Sequence, residues 1–70
     1  MKQQLDSLVT EMVERGILFD EARREFEKRF IAQVLGKVEG NLTRTADTLG
    51  IHRNTLTRKM GRYKIKKRNG

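Results

Sequence analysis

The sequence has no cysteine, no proline, no tryptophan and a single histidine. Without cysteine there is neither a disulfide staple nor a thiolate metal site, and one histidine cannot assemble an imidazole site alone. No apolar run approaches the roughly 18 residues that a membrane span requires, and no signal-peptide core follows Met1. No nucleophile stands with a matching base, and there is no phosphate-binding glycine loop or paired-carboxylate arrangement. These absences argue against an enzyme. They also leave no expected metal, cofactor or small-molecule ligand, and no membrane partner.

What is present is short and charged. Seventy residues allow one domain over 1–70. A chain of this size buries only about 60% of the surface its unfolded form exposes, so part of its core is expected to come from association. The net charge of +7 is unevenly placed. Residues 1–40 carry 7 basic and 8 acidic side chains, whereas residues 41–70 carry 9 basic and 1 acidic. Such asymmetry joins a structural half to a half that faces a polyanion, either nucleic acid or an anionic membrane, the plainer alternative being a solubilising basic tail.

Apolar periodicity is helical throughout. Leu5, Leu8, Val9, Met12 and Val13 follow i, i+3, i+4, i+7, i+8 spacing, with Gly16 as the stop after Arg15. Asp20 is the expected N-cap of a second helix over about Glu21 to Val38, ended by Gly40, with Phe19 stapled onto it. That helix places Ala22, Phe26, Phe30, Ile31, Val34, Leu35 and Val38 over roughly 220° of its circumference. An apolar arc that wide must pack on two sides, against its own chain and against a second copy. Gly36, inside the helix, either admits a close helix approach or has no special role. Glu25, Glu27 and Arg29 read as a solvated face with an i,i+4 pair. Phe26 and Phe30 read as core residues rather than a stacking platform for bases.

Two shorter helices complete the chain. Asn41 is a natural N-cap for the third, and a fourth starts near Arg53 with His52 at its cap. Leu56, Met60 and Tyr63 of the fourth helix face inward. Ala46 is small enough for two helices to cross closely, Gly50 tolerates a left-handed turn, and Leu49, Ile51 and Leu56 fill the wedge between them. This spacing is that of a helix-turn-helix, whose second helix enters the DNA major groove. On that helix Asn54 and Arg58 point most directly outward. Helical side chains lean toward the N-terminus, which brings Arg53 first to a base edge. Arg53, Asn54, Thr57 and Arg58 are therefore the candidate base readers, since Arg suits guanine, Asn suits adenine and Thr meets a thymine methyl. Asn41, Thr43, Arg44, His52, Thr55, Lys59, Arg62, Lys66 and Lys67 are the candidate phosphate contacts.

The runs Glu39-Gly40-Asn41-Leu42-Thr43-Arg44-Thr45-Ala46, Leu49-Gly50-Ile51 and Arg53-Asn54-Thr55-Leu56-Thr57-Arg58-Lys59-Met60 resemble the Fis-type helix-turn-helix family. That family includes the C-terminal DNA-binding domains of NtrC-like enhancer-binding activators. The resemblance covers about residues 20–64. It implies an all-α, four-helix domain with dimerisation helices over about 4–38, a helix-turn-helix over about 41–64 and a basic tail over 65–70. It further implies a homodimer built around positions such as Leu8, Met12, Phe26, Phe30 and Val34, with two reading helices on one duplex. A bacterial cytoplasmic protein of the nucleoid, acting as transcriptional regulator or nucleoid-associated factor, follows from the same resemblance. Recombinase stimulation through an N-terminal arm is not expected, because only four residues precede Leu5. Gly61 stands where the family places a helix former and is expected to weaken and shorten the last helix. Lys64 stands where a glycine stop is common. A different class remains open from the residues alone: a helical oligomerisation or adaptor module whose basic half binds a protein or an anionic membrane. Outward Asn54, Thr57 and Arg58 disfavour the membrane version, which would present Trp, Phe or Leu there.

Overall fold

The computed structural model describes residues 1–66, so Lys67 and Arg68, which belong to the expected basic tail, lie outside the described residues. Four helices follow one another: α1 (Lys2–Glu14), α2 (Phe19–Lys37), α3 (Leu42–Leu49) and α4 (Arg53–Tyr63). There is no strand among the described residues.

All four helices end in the same way. The N–H of Ile17, Gly40, Ile51 and Ile65 each reaches back to Met12, Leu35, Ala46 and Met60 carbonyls respectively, at 2.9–3.1 Å, the six-residue bond of a Schellman stop. The residue before each adopts a left-handed conformation. Glycine fills that role at Gly16 (φ 74°) and Gly50 (φ 72°), but Glu39 (φ 55°) and Lys64 (φ 56°) fill it after α2 and α4. A side chain costs roughly 1–2 kcal/mol in that region. The stop of α2 is thus Glu39 followed by Gly40, rather than Gly40 alone. Lys64 ends α4 without a glycine. Gly61 does not shorten α4, which continues through it to Tyr63. Ile65, the first residue of the expected basic tail, packs against the core.

The two C-terminal helices are also capped at their starts. Asn41 Oδ1 accepts the Arg44 N–H at 3.0 Å, and His52 Nδ1 accepts the Asn54 N–H at 3.2 Å. The expected cap of α2 does not form. Leu18 occupies the cap position, Phe19 is the first helical residue and stands exposed, and Asp20 lies inside the first turn. The Asp20 carboxylate is drawn instead to Arg23 at 2.8 Å and Arg24 at 3.2 Å, one turn further along the helix. With Phe19 helical and outward, no staple forms.

The core joins α2, α3 and α4. Ile31 and Leu35 from α2, Ala46 from α3, and Leu56, Met60 and Tyr63 from α4 are buried, with Leu42, Leu49, Ile51 and Ile65 packed around them. Thr45 is also fully buried, and its hydroxyl donates to the Asn41 carbonyl at 2.7 Å, so burial leaves no unpaired polar atom. The wide apolar arc of α2 accordingly divides. Ile31 and Leu35 enter this core, while Phe26 and Phe30 stay about half exposed, their ring centroids 5.4 Å apart.

Helix α1 contributes no buried residue. Between it and the outer face of α2 runs an open apolar groove of about 750 Å³, lined by Leu5, Leu8, Val9 and Met12 on one side and Phe26, Phe30 and Val34 on the other. Phe26 and Phe30 are therefore groove residues, not members of this chain's own core. Gly36 makes no close approach within the chain either, because a Cβ there would meet open space.

Candidate nucleic-acid interface

Helices α3 and α4 hold their surface side chains in a defined frame because the turn between them is tightly specified. Gly50 makes the left-handed bend, the Ile51 N–H closes onto the Ala46 carbonyl, and His52 caps the next helix. Leu56, with no exposed surface, anchors α4 from below. With Leu56, Met60 and Tyr63 inward, Arg53, Asn54, Thr57 and Arg58 stand exposed on one side of α4. The structure thus brings the four candidate base readers together.

Local hydrogen bonds decide what some of these groups still offer. The Thr57 hydroxyl donates to the Arg53 carbonyl at 3.0 Å, leaving its methyl and its two acceptor lone pairs to the surface. His52 accepts through Nδ1, which leaves Nε2–H as a free donor. Asn41 accepts through Oδ1, which leaves its amide N–H₂ outward beside Thr43 and Arg44. Asn41, Thr43, Arg44, His52, Arg62 and Lys66 are exposed, and Thr55 is half-buried.

The distribution of ion pairs separates the two halves of the chain. On α2, Arg23 and Arg24 are paired with Asp20, Arg23 also with Glu27, and Arg29 with Glu25. Among the described residues Arg44, Arg53, Arg58, Arg62 and Lys66 have no carboxylate partner. Every arginine of residues 1–40 is thus held by a carboxylate, whereas the arginines of the helix-turn-helix are left for something outside the chain; Lys2, Lys28 and Lys37 of the first half have no carboxylate partner among the described residues either.

A family model described as bacterial regulatory protein, Fis family, matches residues 22–63, which spans all but the first three residues of α2 and the whole helix-turn-helix. The chain belongs to the Fis family. Its four helices and turn geometry are those expected from that family's helix-turn-helix domain. A Fis-like DNA-binding protein of Xylella fastidiosa is similar at 44% identity over 46 residues, 66% of this chain and 51% of that protein. The nitrogen assimilation regulatory protein NtrX of Azorhizobium caulinodans is similar at 38% identity over 45 residues, 64% of this chain and 10% of NtrX. The chain thus spans about half the length of the first relative and a tenth of the second. No solved structure matches it.

Two features of this Fis-family domain were not legible in the sequence. Lys59, expected on a phosphate, turns inward and meets Glu27 of α2 at 2.8 Å. Glu27, read as part of a solvated face, accepts from Lys59 Nζ and from the Tyr63 hydroxyl at 2.9 Å, while Arg23 bonds its other oxygen at 3.0 Å. The Lys59 bond is the main cause that holds the Glu27 carboxyl down at about 2, with Tyr63 and Arg23 adding to it against the desolvation. Only the i,i+4 spacing of Arg23 and Glu27 hinted at any of this. The Glu25–Arg29 pair formed as expected, at 3.4 Å.

Proposed function

We propose that the chain binds double-stranded DNA as a homodimer, selecting sequence through α4, and acts as a bacterial transcriptional regulator or nucleoid-associated factor. The observation that carries this reading is the set of arginines on the helix-turn-helix, Arg44, Arg53, Arg58 and Arg62, that have no carboxylate partner, in a stretch with a single acidic residue. Free Arg and Lys side chains arranged around a groove-sized helix suit a phosphate backbone, because each contact releases condensed counterions. Arg53, Asn54, Thr57 and Arg58 then face base edges. Asn41, Thr43, Arg44, His52, Thr55, Arg62 and Lys66 face phosphates, while Lys59 is held by Glu27.

The dimer rests on a second argument. The accessible surface is 5935 Å², against about 4,500 Å² for a compact monomer of this mass. That excess of about 1,400 Å² lies within the range of about 1,000–2,500 Å² that one partner contributes to an obligate homodimer. The groove between α1 and α2 supplies an apolar surface for it, through Leu8, Met12, Phe26, Phe30 and Val34. A DNA-bound dimer of this kind places the protein with the bacterial nucleoid.

Gel shift and size-exclusion measurements on one sample test the reading. Affinity for duplex DNA should fall by about three orders of magnitude between about 50 and 200 mM salt, as for six or more phosphate contacts. Arg53→Ala should relax sequence preference at its base pair by about 1–3 kcal/mol. A dimer that is indifferent to DNA would instead support the adaptor module.

A further inference from the structure

The buried core of Ile31, Leu35, Leu56, Met60 and Tyr63 holds α4 against α2, and the turn at Gly50 sets α4 against α3. Directional bonds between α2 and α4 add to that restraint on rotation. Among the described residues, the only side-chain hydrogen bonds that join different helices are Lys59 to Glu27 and Tyr63 to Glu27, and both end on Glu27 Oε1. Lys59 and Tyr63 lie one turn apart on α4, so the two bonds fix that helix at two points. The acceptor is itself held, because Arg23 of α2 binds the other carboxylate oxygen.

Glu27 also occupies a particular place on α2. It follows Phe26, which faces the open groove, and precedes Ile31, which enters the core. One helix therefore carries the apolar face that would meet a second copy and the carboxylate that grips the reading helix. A rotation of α4 by about 20° would swing a side-chain tip about 6 Å from the axis by about 2 Å. A bidentate base contact does not survive a displacement of that size.

We infer that Glu27 is a positioning residue for DNA recognition: it locks the rotation of α4 relative to α2 and so sets how Arg53, Asn54 and Arg58 of two copies are spaced on a duplex. This inference rests on the dimeric DNA-binding reading above. Glu27 touches no base or phosphate in it and acts through Lys59 and Tyr63. Glu27→Gln removes the ion pair while keeping the shape of the side chain. Tyr63→Phe removes one of the two bonds and keeps the buried ring.

The test uses duplexes that the wild-type chain selects from a random library, the same duplexes with one base pair inserted between the half-sites, and a random-sequence duplex of equal length. Protein is held at a temperature where circular dichroism shows each variant folded. Glu27→Gln should lose about five- to tenfold of the ratio of selected to random affinity, and should discriminate less against the inserted base pair. Its affinity for random duplex should stay within about twofold, since phosphate contacts are not removed. Tyr63→Phe should move in the same direction by a smaller factor, and it decides the matter if Glu27→Gln does not fold. A purely structural role would lower stability and scale all three affinities alike. An unchanged ratio and unchanged spacing preference in the folded variants would overturn the inference. Failure of the wild-type chain to select any duplex would overturn the underlying DNA-binding reading, and that result is distinguishable because it precedes any substitution.

Discussion

Acid should expose how much the bond network on Glu27 contributes to stability. Its carboxyl lies at about 2 in the folded chain against an ordinary value of 4.5. At about 1.36 kcal/mol per pH unit that interval corresponds to an upper bound of roughly 3 kcal/mol. The side chains of Glu27, Lys59 and Arg23 are 23%, 26% and 40% exposed, so water screens the pairs and about 1–2 kcal/mol is the expected contribution. Because the folded value is depressed, the contribution is fully present above about pH 4.5. It disappears as the pH falls toward 2, where the folded state must also take up the proton. Urea unfolding followed by far-ultraviolet circular dichroism, at fixed protein and salt concentration, measures this directly. The wild-type chain should exceed Glu27→Gln by about 1–2 kcal/mol near neutrality, and the two should converge as pH drops from about 4.5 to about 2. Asp20 shares Arg23 with Glu27, and Arg23 also holds its carboxyl below the usual range. The difference between the two proteins, rather than either curve alone, is therefore the informative quantity. A gap that is constant across that pH range would refute the reasoning, because it would mean that the carboxylate charge adds nothing to the fold.

The groove and the helix ends yield further expectations. Phe30→Asp should abolish dimerisation, read by size exclusion, and folding with it. A well-folded monomer would show that α2, α3 and α4 need no second copy. Lys64→Gly relieves a left-handed side chain (φ 56°) and should raise stability by up to about 1 kcal/mol in thermal melts, the relief being partly offset by glycine's greater freedom when unfolded. Gly36→Ala, where a Cβ meets open space, should stabilise α2 by about 1 kcal/mol. A loss on that substitution would place a partner's helix against Gly36.

The candidate site was largely legible in the sequence for a physical reason: its signals are local. Asn41 and His52 cap helices through N–H groups two or three residues away, and Gly50 makes its turn with its own backbone. The spacing of Leu56, Met60 and Tyr63 fixes which side of α4 is left to Arg53, Asn54 and Arg58. Where local rules compete, sequence alone chose wrongly. Asp20 had both the chemistry of a cap and two arginines one turn away, and the arginines prevailed.

By itself the sequence determined four helices, the turn between α3 and α4, and a strongly basic C-terminal half, because each depends on residues within a turn or two of one another. Only the tertiary structure decided how the apolar arc of α2 is shared. Ile31 and Leu35 went to the core and Phe26 and Phe30 to an open groove, a division that exists only once α3 and α4 have packed. It also decided the partners of Glu27, which lie 32 and 36 residues further along the chain. No periodicity reports a contact at that separation, since it is packing of α4 on α2 that brings Lys59 and Tyr63 to one carboxylate.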